Sequence, residues 1–299
     1  MIREFPGLVK VFGDRALYFL PGRPPISMKM MIALLPLLLV PQADYGDAMK
    51  KVAAKFGGKE GVVLHIGDSI TYANQYGGWA RGGKGKTPQE EAALKWMHCN
   101  DNNDSDGWFL ARVDRPGNRS DTAVSGIRSY EFLEGGKSGI PPMAEVVKKY
   151  NPQIAVVMLG TNDVNGGRSP AQYKGDMTKI VDLLIANGTI PIVSTIPPVK
   201  GKDEQVKAFN AILMEIVKEK KIPVIDYYGE VVKRRPTDWL GTLISDDGVH
   251  PTGDHAGASP ASEPTEDNLK NSGYLLRGVL SVRKIVEVKA KVLDQAKKK

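Results

Sequence analysis

Residues 61–78 read GVVLHIGDSITYANQYGG, a short apolar run that changes abruptly to small and polar residues at Gly67. The apolar part, 62–66, is rich in β-branched residues and too short for an ordinary helix, so it predicts a buried strand. Gly67, Asp68 and Ser69 then predict a turn, which these residue types commonly form. Ser69 is therefore either an ordinary turn residue or a nucleophile held at the carboxyl end of a strand.

The same pattern of apolar run, loop and amphipathic stretch repeats along the chain. Further strands are predicted at 122–124, 154–159, 190–194 and 223–225. Helices are predicted at 142–150, 171–186, 203–220 and 274–295. This alternation indicates an α/β fold with a mostly parallel five-stranded sheet and helices on both faces. Active residues in such sheets gather beyond the carboxyl ends of the strands, where Ser69 and Asn162 are expected.

The composition is that of an ordinary globular protein, with 299 residues of which 41% are hydrophobic and 25% charged. The formal net charge is +7, but residues 1–43 carry five basic and two acidic residues, and Lys297–Lys299 end the chain. Basic and aromatic residues do not interleave as they do in proteins that bind single-stranded nucleic acid. We therefore predict a mildly basic solvated surface and no nucleic-acid partner; the oligomeric state stays open.

Residues 28–43, MKMMIALLPLLLVPQA, have the pattern of a secretory signal peptide. A lysine precedes ten apolar residues, 31–40, which are too few to span a bilayer, and the small residue Ala43 marks a cleavage site. Two features oppose this interpretation: Pro41 is not small, and 27 residues precede Met28.

The predicted organisation is a leader at 1–43 followed by a single domain at 44–299 that lacks an integral membrane span and is secreted or periplasmic. An insertion at about 77–120 is polar and rich in Gly, Asp and Asn. Long loops of this kind are usually functional or disordered. Cys99 is the single cysteine, which excludes an intrachain disulfide.

A serine nucleophile needs a base that takes its proton. Among the four histidines, His65 lies within the first apolar run and is expected to be packed in the core. His98 has no residue at a spacing that would indicate a catalytic partner. His250 stands in SDDGVHPTG, with Asp247 three residues earlier. In a tight loop, that carboxylate can hold the imidazole in the tautomer that accepts a proton from Ser69. A purely structural role for His250 is the alternative.

Stabilising an oxyanion also needs hydrogen-bond donors. VVMLGTNDVN, residues 156–165, runs off a predicted strand and places the side-chain amide of Asn162 at its carboxyl end. AVSGIRS, residues 123–129, places the backbone N–H of Gly126 just after another short run. Each stretch alone is a common turn.

In this order, the stretches resemble the conserved blocks of the SGNH hydrolases, also called the GDSL esterase/lipase family. The matching blocks are Gly67-Asp68-Ser69, Gly126, Gly160-Thr161-Asn162-Asp163 and Asp247-Gly248-Val249-His250-Pro251. The resemblance covers residues 60–255. The stretch AVSGIRS lacks the asparagine often found ahead of the glycine that Gly126 matches. The insertion at 77–120 departs from compact members of the family.

The resemblance implies a three-layer α/β/α sandwich of flavodoxin-like type. It implies Ser69 as nucleophile, His250 as general base and then acid, and Asp247 as the carboxylate that orients it. The backbone N–H groups of Ser69 and Gly126, with the Asn162 side chain, would form the oxyanion hole. An acyl-enzyme would form on Ser69 and be hydrolysed by water, with no metal and no cofactor.

We expect the substrates to be carboxylic esters with short acyl groups, acetyl above all, including esters on carbohydrates. Trp79 and Trp108, in the insertion, are candidates for stacking on a sugar ring, with core packing as the alternative for each. Two other interpretations use the same residues or the same fold: an acyltransferase, and a non-catalytic carbohydrate-binding protein.

Overall fold

A parallel sheet lies at the centre of the computed structural model, which describes residues 44–99 and 120–296. In those residues the sheet has four strands: β1 (Val63–Gly67), β2 (Ile154–Met158), β3 (Ile190–Ser194) and β4 (Val224–Ile225). They pair in the order β1-β2-β3-β4, and every pair is parallel. All strand residues are buried, as expected for a sheet covered on both faces.

Helices occupy most of the chain between and beyond the strands. Their bounds are α1 (Gly46–Ala53), α2 (Ser69–Tyr72), α3 (Gly78–Gly82), α4 (Pro88–Trp96), α5 (Ser129–Glu134), α6 (Met143–Tyr150), α7 (Thr161–Asn165), α8 (Pro170–Ala186), α9 (Asp203–Lys220), α10 (Tyr227–Arg234), α11 (Glu266–Leu269), α12 (Gly273–Val288) and α13 (Asp294–Ala296). Short 3₁₀ segments lie at Asn74–Gly77 and Lys137–Gly139, and a π-helical turn at Lys289–Leu293 joins α12 to α13. The predicted helices are confirmed as α6, α8, α9 and α12 with its continuation.

The layers follow from the order of the strands. Because each strand pairs with the next one along the chain, right-handed crossovers place α6, α8 and α9 on the same face. On the other face, α1 packs against β3, and α12 packs against β4, α3 and α4. The result is the three-layer α/β/α sandwich that the resemblance implies.

The fifth predicted strand, at 122–124, is not formed. Ala123 makes a single parallel bridge to Gly67 and no longer ladder. The Ser120 hydroxyl accepts hydrogen bonds from the backbone N–H groups of Thr122 (3.0 Å) and Ala123 (3.3 Å). A side chain that takes these donors offers the backbone an alternative to a strand ladder, so the five-stranded prediction is corrected to four in the described residues.

The predicted insertion at 77–120 is partly helical. Thr87 caps α4 in a reciprocal arrangement with Glu90, and Pro88 occupies the first helical position. Residues 100–119, with Trp108, lie outside the described residues, and so does the predicted leader at 1–43. None of the helices in the described ranges is both long enough and apolar enough to cross a membrane.

Candidate active site

Ser69 begins α2, immediately beyond the end of β1. Asp68 caps this helix by accepting a hydrogen bond from the Ile70 N–H at 3.0 Å. Gly67 leaves no room for a side chain, since an added Cβ would lie 2.1 Å from the Thr71 hydroxyl and 2.8 Å from the Met158 carbonyl. The turn is therefore built closely against β2, and it leaves Ser69 partly exposed at the carboxyl edge of the sheet.

Two hydrogen bonds connect Ser69 with the loop at 245–251. The Ser69 Oγ lies 2.9 Å from the Nε2 of His250. The Nδ1 of His250 lies 2.6 Å from the Oδ2 of Asp247. Ser69 and His250 are 181 residues apart in sequence, so the fold brings these three predicted residues together.

The loop itself fixes the Asp247 carboxylate. Its Oδ1 accepts hydrogen bonds from the N–H groups of Val249 (2.9 Å) and His250 (3.0 Å) and from the Ser245 hydroxyl (3.1 Å). Partial burial raises the pKa of Asp247, but these donors and the His250 side chain outweigh it and bring the pKa to about 2. Asp247 is consequently ionised at neutral pH, next to the imidazole.

Asn162 lies in the first turn of α7, which follows β2, and its side chain contacts the residue next to Ser69. Its Nδ2 donates a hydrogen bond to the Oδ2 of Asp68 at 3.0 Å. Asp68 is fully buried, and burial raises its pKa to about 6, although the Ile70 N–H and the positive charge of Arg277 oppose the rise. The amide of Asn162 is thus oriented by the residue that precedes Ser69.

Gly126 lies in the loop that crosses the end of β1. The Gly67 N–H donates to the Thr122 carbonyl at 3.1 Å, and the Val124 N–H donates to the Gly67 carbonyl at 3.2 Å. Gly126 has a φ of +72°, a conformation that favours glycine. The Lys137 ammonium donates a hydrogen bond to the Gly126 carbonyl and holds the loop from the other side.

A buried polar cluster joins the Gly126 loop to the Asn162 turn. Ser129, the first residue of α5, donates its N–H (3.0 Å) and its hydroxyl (2.7 Å) to the Asp163 carboxylate. Its hydroxyl also lies 3.1 Å from the Oδ2 of Asp176, which accepts a hydrogen bond from the Nε of Arg168 at 2.6 Å. Ser129 and Asp163 are both fully buried, so this cluster fixes the spacing between the two loops.

Two residues singled out in the sequence belong to the core. Trp79 is 0% exposed and donates its Nε1–H to the Lys84 carbonyl at 2.9 Å, which favours core packing over the expected stacking on a sugar. His65 is fully buried with its Nδ1 3.0 Å from the Tyr76 hydroxyl, so the expectation of a packed histidine is confirmed. Burial holds the pKa of His65 well below its ordinary value.

Sequence reasoning missed Arg277, in the second turn of α12. Its Nη1 donates to the Ile70 carbonyl at 2.8 Å, and its Nη2 donates to the Thr71 hydroxyl at 2.7 Å. The guanidinium also stacks 3.8 Å from the centroid of the Tyr76 ring. A signal in the sequence could have found it. Arg277 and Ser281 stand four residues apart on an otherwise apolar helix face, where a buried charge is unfavourable unless it is paired and hydrogen-bonded.

The solved structures share this fold. A carbohydrate esterase family 3 protein from Talaromyces cellulolyticus is 21% identical, with a TM-score of 0.51 over 76% of this chain and 98% of that one. A mutant acetyl esterase solved with an acetate ion is 20% identical, with a TM-score of 0.51 and the same coverage. At these identities the similarity concerns the fold.

Sequence comparison identifies the family. Thioesterase 1/protease 1/lysophospholipase L1 of Escherichia coli is 28% identical over 119 residues, 40% of this chain and 55% of that protein. The arylesterase of Vibrio mimicus is 24% identical over 132 residues, 44% of this chain and 62% of its own length. The chain therefore aligns with little more than half of each relative.

The pattern of the GDSL-like Lipase/Acylhydrolase family matches residues 65–254, well over half of the chain. The chain belongs to this family.

Proposed function

We propose that the chain hydrolyses carboxylic esters through an acyl-enzyme on Ser69, most readily esters of short acyl groups such as acetate. The observation that carries the proposal is the pair of hydrogen bonds from Ser69 to His250 (2.9 Å) and from His250 to Asp247 (2.6 Å). A nucleophile, a base and an orienting carboxylate within hydrogen-bond reach are the arrangement that activates a serine.

In the first half of the reaction, the Ser69 Oγ attacks the ester carbonyl carbon while its proton passes to the Nε2 of His250. The carbonyl electron pair moves to oxygen and gives a tetrahedral oxyanion. When that pair returns, the bond from carbon to the alcohol oxygen breaks, and the alcohol takes the proton from His250. Water then attacks the acyl-Ser69 ester by the same steps, which release the carboxylic acid and restore Ser69.

The oxyanion in this proposal lies among the Ser69 N–H, the Gly126 N–H and the Asn162 side-chain amide. Asn162 has two N–H bonds; one donates to Asp68, and the other is assigned to the oxyanion. Such preorganised donors are worth about 10²–10³ in kcat each. Asp247, ionised beside His250, stabilises the imidazolium that forms during attack.

Acetylated carbohydrate is the first natural substrate class to test. The two solved structures of similar fold are named an acetyl esterase and a carbohydrate esterase. Trp79 is not assigned to sugar stacking, because its indole is buried. Secretion or a periplasmic location, with residues 1–43 as a leader, remains part of the proposal.

The test is hydrolysis of p-nitrophenyl acetate, butyrate and octanoate by the full chain and three variants. Ser69→Ala and His250→Ala should each lower kcat by about 10⁴–10⁶. His255→Ala is the matched control, because His255 lies five residues away in a turn where its N–H bonds to the Ala258 carbonyl. It should keep kcat within about twofold of the parent.

The expected preference is acetate over octanoate, with fluorophosphonate labelling that disappears in Ser69→Ala. Full activity in Ser69→Ala would exclude the acyl-enzyme on this residue. A loss in His255→Ala equal to that in His250→Ala would show that the base is wrongly assigned.

A further inference from the structure

Arg277 approaches the Ser69 turn from a helix that lies beyond the matched family region, residues 65–254. We propose that Arg277 is a positioning residue for ester hydrolysis, which fixes the turn that carries Ser69 and, through Asp68, the direction of the Asn162 amide. This inference rests on the proposed roles of Ser69 and Asn162. Arg277 does not contact the substrate in it.

The two Nη atoms of Arg277 hold consecutive residues of α2, the Ile70 carbonyl and the Thr71 hydroxyl. Thr71 in turn fills the space that Gly67 leaves open. The planar guanidinium, stacked on Tyr76, therefore defines the position of the four-residue helix that starts at Ser69.

Arg277 is 2% exposed, and burying a guanidinium is expensive unless a nearby negative charge and hydrogen bonds compensate for it. A charged side chain is not needed merely to hold two helices together, since packed apolar side chains of similar size do this without the free-energy penalty of burying a charge. The buried carboxylate of Asp68, one residue before Ser69, supplies a reason for the cation: the positive charge of Arg277 lowers the pKa of Asp68 against the effect of burial.

Asp68 connects Arg277 to Asn162. An ionised Asp68 accepts hydrogen bonds on both oxygens, from the Ile70 N–H on Oδ1 and from the Asn162 amide on Oδ2. The charged and titratable groups that act on Asp68 are Arg277 and Tyr274 of α12 and His250 of the opposite loop. Weakening the charge at Arg277 favours the protonated carboxyl, which loses an acceptor and releases Asn162.

The test compares Arg277→Met, Arg277→Lys and Arg283→Met in the full chain. Arg283 is the matched control because it lies on the same helix, is exposed, and pairs through its Nε with Glu90 at 2.8 Å. Steady-state kinetics on p-nitrophenyl acetate are measured from pH 4.5 to 9, with thermal unfolding by circular dichroism.

Arg277→Met should lower kcat by about 10²-fold, the cost of a misplaced reacting group, with little change in KM. Its acid limb of kcat should move to higher pH, because removing the cation raises the pKa of Asp68. Arg277→Lys should return the acid limb toward the parent but only part of kcat, since an ammonium is a single donor atom without the planar fork that reaches both Ile70 and Thr71. Arg283→Met should keep the parent kcat and pH profile.

A folded Arg277→Met with parent kcat and pH profile would overturn the inference, and so would an equal loss in Arg283→Met. If Arg277→Met does not fold, Thr71→Val removes one acceptor at nearly constant volume: a lowered kcat with unchanged KM supports the inference, and parent kcat overturns it. Failure of the proposed function is separate, because it would appear as Ser69→Ala retaining activity.

Discussion

At the scale of single residues, Asp247 has an environment that predicts a pH dependence. Its carboxylate accepts hydrogen bonds from two backbone N–H groups and two side chains, which outweigh partial burial and lower its pKa to about 2. A lowered pKa in the folded state means that ionised Asp247 favours folding above the ordinary carboxyl range. That contribution is lost as the pH falls toward 2.

Replacing Asp247 with Asn should therefore lower the midpoint of thermal unfolding at pH 6, and the difference from the parent should shrink between pH 4 and pH 2. Its kcat at pH 7 should fall by about 10⁴, since the imidazole loses the partner that sets its tautomer. The control is Asp246→Asn, an exposed neighbour in the same loop. A constant difference in the unfolding midpoint across this pH range would contradict the predicted coupling.

Local sequence motifs predicted the candidate catalytic residues that lie together in the structure, but not the buried residues that keep them in position. Ser69 and the loop with Asp247 and His250 could be found because each stands in a short turn whose sequence is distinctive. Asp68 and Arg277 could not be assigned in this way, since their roles depend on burial between segments 207 residues apart. Trp79 shows the converse, because its environment is decided by packing rather than by the neighbouring polar sequence.

At the scale of elements, helix ends were predictable where the capping chemistry is strong. Ser169 and Gln172 form a reciprocal cap with Pro170 at the first position of α8, and the predicted start at 171 is one residue late. Four of the five strands predicted from apolar runs are formed, but the run at 122–124 makes only one bridge, and the Ser120 hydroxyl accepts hydrogen bonds from the N–H groups of Thr122 and Ala123. Such competition by a side chain is not visible in hydrophobic periodicity.

Lys221 ends α9 in the left-handed conformation, with a φ of 50° and ψ of 58°. An L-residue with a side chain adopts this conformation at a cost of about 1 kcal/mol, which glycine does not incur. Lys221→Gly should therefore raise the free energy of unfolding by about 1 kcal/mol, measured by urea denaturation.

The control for this helix is Lys218→Gly, three residues earlier on the exposed face of α9. Glycine inside a helix should lower the free energy of unfolding by about 1 kcal/mol. A loss of stability in both variants would show that the left-handed conformation of Lys221 carries no strain.

At the scale of the whole molecule, the two ends of the described chain meet. The Tyr45 hydroxyl, just before α1, donates a hydrogen bond to Glu287 of α12 at 2.6 Å. Asp44 pairs with Lys291 at 2.9 Å, in the π-helical turn that follows α12. These contacts fasten α1 to the same helix that carries Arg277.

Tyr45→Phe removes the hydroxyl and keeps the buried ring. It should lower the free energy of unfolding by about 1 kcal/mol and leave kcat unchanged, because the bond lies away from Ser69. Asp44→Asn, which weakens a more exposed pair, should cost less. An altered kcat in Tyr45→Phe would mean that the position of α12 is more sensitive to its far end than the packing indicates.

The contacts of Arg277 with Ile70 and Thr71 also order events during biosynthesis. Domains fold as their chains emerge from the ribosome, amino terminus first, so the segment with Ser69 is made long before α12. On the proposed mechanism, the nucleophile has no base until His250 has been made, and its turn is fully held only once α12 has been made as well. A chain that ends before residue 277 would therefore carry every residue of the matched family region and still lack the two hydrogen bonds that fix the turn with Ser69.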